Sequence, residues 1–181
     1  MCHFITLIAP GADADAVRTV MKRHGRAAVP IDNPSIRKVL QKDEHQYITT
    51  RGHCDCGTAL APDHDTIEGF EERLAKDAAR MRRKGWSEAK IERASEDRRK
   101  AEARPVAAAA GPDSLELWHA VLDDLREELK LPYAGIHVRF YSGAIATETF
   151  NVSRREVRKN ARWQDALGSI EHDEVTIFPF R

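Results

Sequence analysis

The sequence predicts an α+β fold: a mixed or antiparallel sheet covered on one face by helices, with an inserted charged helical hairpin. Three observations predict it. Apolar, β-rich runs open and close the chain, at 2–9 and in "EVTIFPF" (174–180). Between them the order is strand, helix, strand, helices, hairpin, helix, strand, which is not a regular βαβ alternation. The length, 181 residues, suits a single domain whose core buries roughly 70% of the extended-chain surface without metals or disulfides.

The elements follow in order. Residues 2–9 are almost continuously apolar and stop at Pro10-Gly11. Asp13 caps a helix on which Val17, Val20, Met21 and His24 share a face, with Gly25 as the residue after its end. Pro34 starts a helical turn through Leu40, and "QYITT" (46–50) is a second strand. From 65 to 104 a charged helical hairpin is expected. Ile67, Phe70, Leu74, Ala78 and Met81 form its thin first stripe, Gly85 breaks it, and Ile91, Ala94 and Ala101 face its second helix. Pairs such as Glu72–Lys76 and Glu96–Lys100 support these helices. "RPVAAAAGPD" (104–113) reads as a linker within the domain. Asp113 and Glu116 make a capping box for a helix with Leu115, Trp118, Leu122, Leu125 and Leu129 at core spacing. "GIHVRFYSGAIATETF" reads as a β-hairpin turning at Ser142-Gly143. Ser153 and Glu156 open a short helix, and Pro179 puts the last strand at an edge or an end.

Composition excludes several classes. Lys+Arg and Asp+Glu are 29 each, so no overall field draws nucleic acid or an anionic membrane. "MCHFITLIAP" lacks a basic n-region, and no run approaches the ~20 apolar residues of a membrane span. A cytoplasmic, reducing location is expected, with three cysteines as free or metal-bound thiols. There is no phosphate loop, G-x-G-x-x-G, G-x-S-x-G or H-E-x-x-H, which takes most of the weight from the large cofactor and nucleotide classes.

The chemistry is concentrated in "RGHCDCGTAL" (51–60) and "MCHF" at the start. Zinc takes thiolate and imidazole ligands in tetrahedral array. A Cys-x-Cys turn points two sulfurs at one ion, and Gly57 allows the tight backbone. Antiparallel neighbours at 2–9 and 46–50 bring Cys2 beside Cys54 and Cys56, with His53 or His3 as the fourth ligand. The metal set is therefore Cys2, His53, Cys54 and Cys56, with zinc as the cofactor. The competing reading is ordinary buried thiols. A third is catalysis by Cys2 or Cys54 in a thiol hydrolase, an amidase or a zinc enzyme. Removal of Met1 would give Cys2 a base of its own, the α-amine of pKa about 7.7–8.0. In its Met-Cys opening the chain resembles the class II glutamine amidotransferases, which implies Cys2 as nucleophile. The resemblance covers two residues, and the glycine those enzymes place next is His3 here.

Two further groups stand out. "RMRRKG" (80–85) and "SRREVRKNAR" (153–162) are basic, but balanced charge and 7% aromatics argue against nucleic-acid binding. His137, Arg139 and Tyr141 alternate along one strand and form a row suited to an acidic partner or an anion. With Arg80 and Arg83 they are the expected partner-binding residues. The expected function is a small cytosolic protein-binding module with a structural zinc site. It is similar in profile to small bacterial immunity proteins that neutralise a cognate toxin. Its partner is a protein rather than a membrane or nucleic acid, and the sequence leaves a homodimer open.

Overall fold

The computed structural model describes residues 2–61, 74, 75, 78, 79, 81–83, 85–102, 113–158 and 161–180, with 98–102 by backbone alone. It divides into two compact units, Met1–Pro62 with Ala109–Arg181, and Asp63–Ala108. The first unit holds β1 (Cys2–Pro10), α1 (Ala14–Arg23), β2 (Val29–Ile31), α2 (Pro34–Arg37) and β3 (Glu44–Thr49). In the second unit α3 (Glu88–Glu102) is described. The first unit resumes with α4 (Leu115–Leu129), β4 (Tyr133–Tyr141), β5 (Ser153–Glu156), α5 (Trp163–Leu167) and β6 (Glu174–Pro179).

The six strands form one mixed sheet in the order β2-β3-β1-β4-β6-β5, with only the β5–β6 pair parallel. The expected α+β architecture is present. Strand alternation sends Ile5, Leu7 and Ala9 of β1 and Ala134, Ile136 and Val138 of β4 to one face. There they meet Val17, Val20 and Met21 of α1, Trp118, Val121, Leu122 and Leu125 of α4, and Ala166 and Leu167 of α5. Each large side chain buried here contributes about 1.5–3 kcal/mol. The opposite face carries a smaller cluster of Ile8, Ile36, Val175 and Ile177, over which Phe150 and Val152 pack.

The caps explain the helix starts. Asp13 accepts from the Asp15 and Ala16 amides at 3.0 Å, and Gly25 at φ +67° ends the first helix. Helix α4 is capped by Ser114, whose hydroxyl accepts from Leu117 N, and not by Asp113 as the sequence suggested. In the second unit Ser87 O accepts from Lys90 N and Ile91 N, and both Leu74 and Ile91 are buried. The Glu72–Lys76 pair, Arg80 and 104–112 of the linker lie outside the described residues, as does the Lys100 side chain.

Two expectations are corrected. The chain does not turn back as a hairpin at Ser142-Gly143. β1 holds one edge of β4 from Gly135 to Tyr141, β6 holds the other from Tyr133 to His137, and Val138 bridges His172 beyond it, so a returning strand finds little free edge. Residues 142–152 instead cross the second face, held by Asn33 donating to Ile145 O (2.7 Å) and Glu148 O (3.0 Å). Residues 153–156 form β5, not a helix. Arg154 pairs with Glu44 and Arg155 with Glu174, and Val157 N donates to Ile177 O.

Gly135 marks the tightest approach in the sheet. A Cβ there would lie 2.8 Å from Ile177 Cδ1 and 2.9 Å from Ile8 Cβ, and the second atom cannot swing away. Gly135→Ala is expected to destabilise the fold by about 1–3 kcal/mol, read as a lower urea midpoint at unchanged slope. A midpoint equal to wild type would refute this crowding.

Candidate metal centre

The geometry of the site begins with where β3 stops. Its pairing with β1 ends at Thr49, opposite Ile5, while β1 continues to Cys2. The edge of β1 beyond Ile5 needs other partners for its amides and carbonyls. The 51–57 turn supplies them. Asp55 N donates to His3 O at 2.9 Å, Ile5 N donates to Asp55 Oδ2 at 2.9 Å, and His3 N donates to Cys56 Sγ at 3.2 Å. The turn thus substitutes for the missing strand and docks its sulfurs beside the start of β1.

The residue between the cysteines points the other way. Asp55 is fully buried and pairs with Arg26, itself buried, which also pairs with Asp113 and donates to Thr49 O at 2.9 Å. The Arg26 guanidinium lies 4.5 Å over the Trp118 ring. Asp113 accepts from Ala59 N at 3.0 Å as well, which pins the far end of the turn. Burial pushes the Asp55 carboxyl up to about 6 against the opposing pull of Arg26, and burial lowers Arg26. Neither Arg26 nor Asp55 was singled out from the sequence. The available signal was alternation, because residues 54 and 56 on one side of an extended segment put 55 on the other.

The three sulfurs come together. Cys2, Cys54 and Cys56 Sγ all lie within 4.8 Å of one another, and each residue is partly exposed. A tetrahedral zinc with bonds of about 2.3 Å has sulfur–sulfur edges of about 3.8 Å, so the cluster fits such an ion after small side-chain rotations. Burial, with help from Cys54, raises the Cys2 thiol, and burial pushes Cys56 up to about 12. A reactive cysteine needs the opposite shift. His53 is exposed and stands outside this group, whereas His3 is buried with Nδ1 3.8 Å from Cys56 Sγ.

The other singled-out residues are elsewhere. His137, Arg139 and Tyr141 do share one face of β4, but it is covered. The His137 ring stacks at 5.7 Å on Phe150, which also meets Tyr141 at 5.9 Å and lies 3.7 Å from the Arg139 guanidinium. Arg139 is held by Asp173 (2.6 Å) and Glu148 (2.8 Å). Arg83 is exposed in the second unit. The arginines at 154, 155 and 162 are engaged by Glu44, Glu174 and Asp165.

Comparison with protein families, curated proteins and solved structures finds no match for this chain. The site is therefore read from its own chemistry. Among the described residues no helix is long and apolar enough to cross a membrane.

Two outcomes follow from this geometry. Asp55→Asn removes the charge of one of the two carboxylates on Arg26, which keeps Asp113, and is expected to cost about 1–3 kcal/mol by chemical denaturation; no measurable loss would refute the pair as a clamp. His137 is buried and its pKa is lowered from 6.5 to about 4 by desolvation. The unfolded chain binds its proton first, so this contribution is complete above pH 6.5 and is lost as pH falls toward 4. It amounts to roughly 3 kcal/mol at about 1.4 kcal/mol per pH unit between the two values. Wild type should lose stability relative to His137→Phe as pH falls across that window, and a pH-independent difference would contradict it.

Proposed function

We propose that the chain is a small metal-binding module whose Cys2, Cys54 and Cys56 hold one thiophilic divalent ion, with zinc the best match to a thiolate set. The observation that carries the reading is the meeting of three sulfurs from segments some fifty residues apart. Two features support a binding role over a nucleophilic one. The turn is docked by three backbone-directed hydrogen bonds and by a buried ion pair, which places the sulfurs before any ion arrives. The raised Cys2 and Cys56 thiols are poor resting nucleophiles, and holding an ion requires that they lose their protons, so uptake is expected to strengthen as pH rises.

In this reading the ion supports the fold, and the domain serves a protein partner. The described side chains of α3 favour that part. Ile91 is buried, while Glu88, Lys90, Glu92, Arg93, Glu96 and Asp97 are exposed and of mixed sign. Such a helix face suits steering and specificity toward a complementary protein surface.

Protein purified without added zinc should carry about one zinc per chain. Cys54→Ser should lose the metal, and a chelator should lower the thermal midpoint of wild type while leaving that variant unmoved. At free zinc a thousandfold above Kd the bound ion stabilises the fold by about 4 kcal/mol. A wild-type chain that takes up no zinc at micromolar concentrations would end the reading.

A further inference from the structure

We propose that His3 Nδ1 is the fourth ligand of the ion, so that the site is a closed Cys3His set in which the metal joins the start of β1 to the 54–57 turn. This rests on the metal reading above and assigns the position that three sulfurs leave open. The first reason is a distance. His3 Nδ1 lies 3.8 Å from Cys56 Sγ. That is within reach of a hydrogen bond to sulfur, and it is also close to the separation of about 3.6 Å between two ligands sharing a tetrahedral zinc, with bonds of about 2.3 Å to sulfur and 2.0–2.1 Å to nitrogen.

The second reason is that His3 is held in place on every side. Its amide donates to Cys56 Sγ, its carbonyl accepts from Asp55 N, and it sits opposite Phe140 in the β1–β4 register. Its ring packs edge-on against Phe140 at 4.9 Å and lies 5.1 Å from the ring of His172. Cys2 and Cys54 complete the set by turning their sulfurs toward Nδ1, a rotamer change open to partly exposed side chains. Neither histidine belongs to the sulfur group as it stands; His53 is exposed, whereas His3 is buried with Nδ1 3.8 Å from Cys56 Sγ.

The consequence is chemical. Four protein ligands leave no coordination position for water, so the ion polarises no substrate and generates no hydroxide. On binding, each of the three thiols passes its proton to solvent and its sulfur lone pair to the metal, while His3 binds as neutral imidazole. No electron is transferred. His172 and Phe140 are positioning residues that fix the plane of the ligand ring.

The test uses the full chain loaded with Co(II) or Zn(II), as wild type, His3→Ala and His53→Ala. Wild type is expected to show the intense visible bands of tetrahedral Co(II). His3→Ala should change those bands and lower zinc affinity, by chelator competition, more than about 100-fold, beyond the roughly 10–100-fold expected for an outer-shell residue. His53→Ala should match wild type. Wild-type bands and affinity in His3→Ala, or their loss in His53→Ala, would overturn the assignment while leaving the metal reading intact. A wild type that binds neither ion overturns both. If His3→Ala does not fold, imidazole 15N NMR of the unmutated chain decides: His3 Nδ1 shifts on zinc addition if it is the ligand, and an unmoved Nδ1 rejects it.

Discussion

The architecture of this protein depends on one buried cation. Arg26 leaves the end of α1, enters the interior, and meets Asp55 from the cysteine turn and Asp113 from the approach to α4. Stripping a guanidinium of water costs several kcal/mol, and only good geometry offsets that loss. Here the compensation is distributed: two carboxylates, the Thr49 carbonyl and the Trp118 face surround it. The carboxylates in turn accept from Ile5 N and Ala59 N. Three positions, 26, 55 and 113, are thereby fixed to one point. Moving Arg26 leaves two carboxylates without their cation, and moving either acid leaves the guanidinium with one partner fewer, so the clamp favours a single arrangement of the turn.

That arrangement links sheet topology to chemistry. Because β3 ends at Thr49, the N-terminal end of β1 lacks a neighbouring strand on that side, and the turn is the element that completes its hydrogen bonding. A strand in that place would present alternating side chains to two faces. A turn of sequence Cys-Asp-Cys instead sends an acid into the core and two sulfurs outward beside a third. The meeting of the three sulfurs is thus a by-product of finishing the sheet, and it stands on the hydrogen bonds of the turn.

Much of this was legible in the residue pattern where the decisive interactions are local. Asp13, the Val17–Val20–Met21 spacing and Gly25 define α1 from within one stretch of chain, and the Leu/Trp stripe defines α4 equally well. The meeting of Cys2 with Cys54 and Cys56 followed from antiparallel pairing of the first and third strands, a simple nonlocal rule. What failed was nonlocal in a less regular way. Ser153-x-x-Glu156 has the local form of a capping box, but Arg154 finds Glu44 across 110 positions of sequence, and the strand results. The expected hairpin after Tyr141 failed because β1 and β6 hold most of both edges of β4, which no local motif reveals. Asp55 looked like a spacer between cysteines because its partner, Arg26, carries no motif of its own.

The two outer strands of the sheet also decide how this chain behaves among its own copies. On one side is β2, three residues long with Pro30, which has no amide hydrogen to offer. On the other is β5, four residues long, with Arg154 and Arg155 tied to acids. Neither presents the long, flat, unpaired ladder on which a second molecule would extend the sheet. Among the described strands, therefore, neither sheet edge offers a ready template for strand-by-strand accretion of further copies.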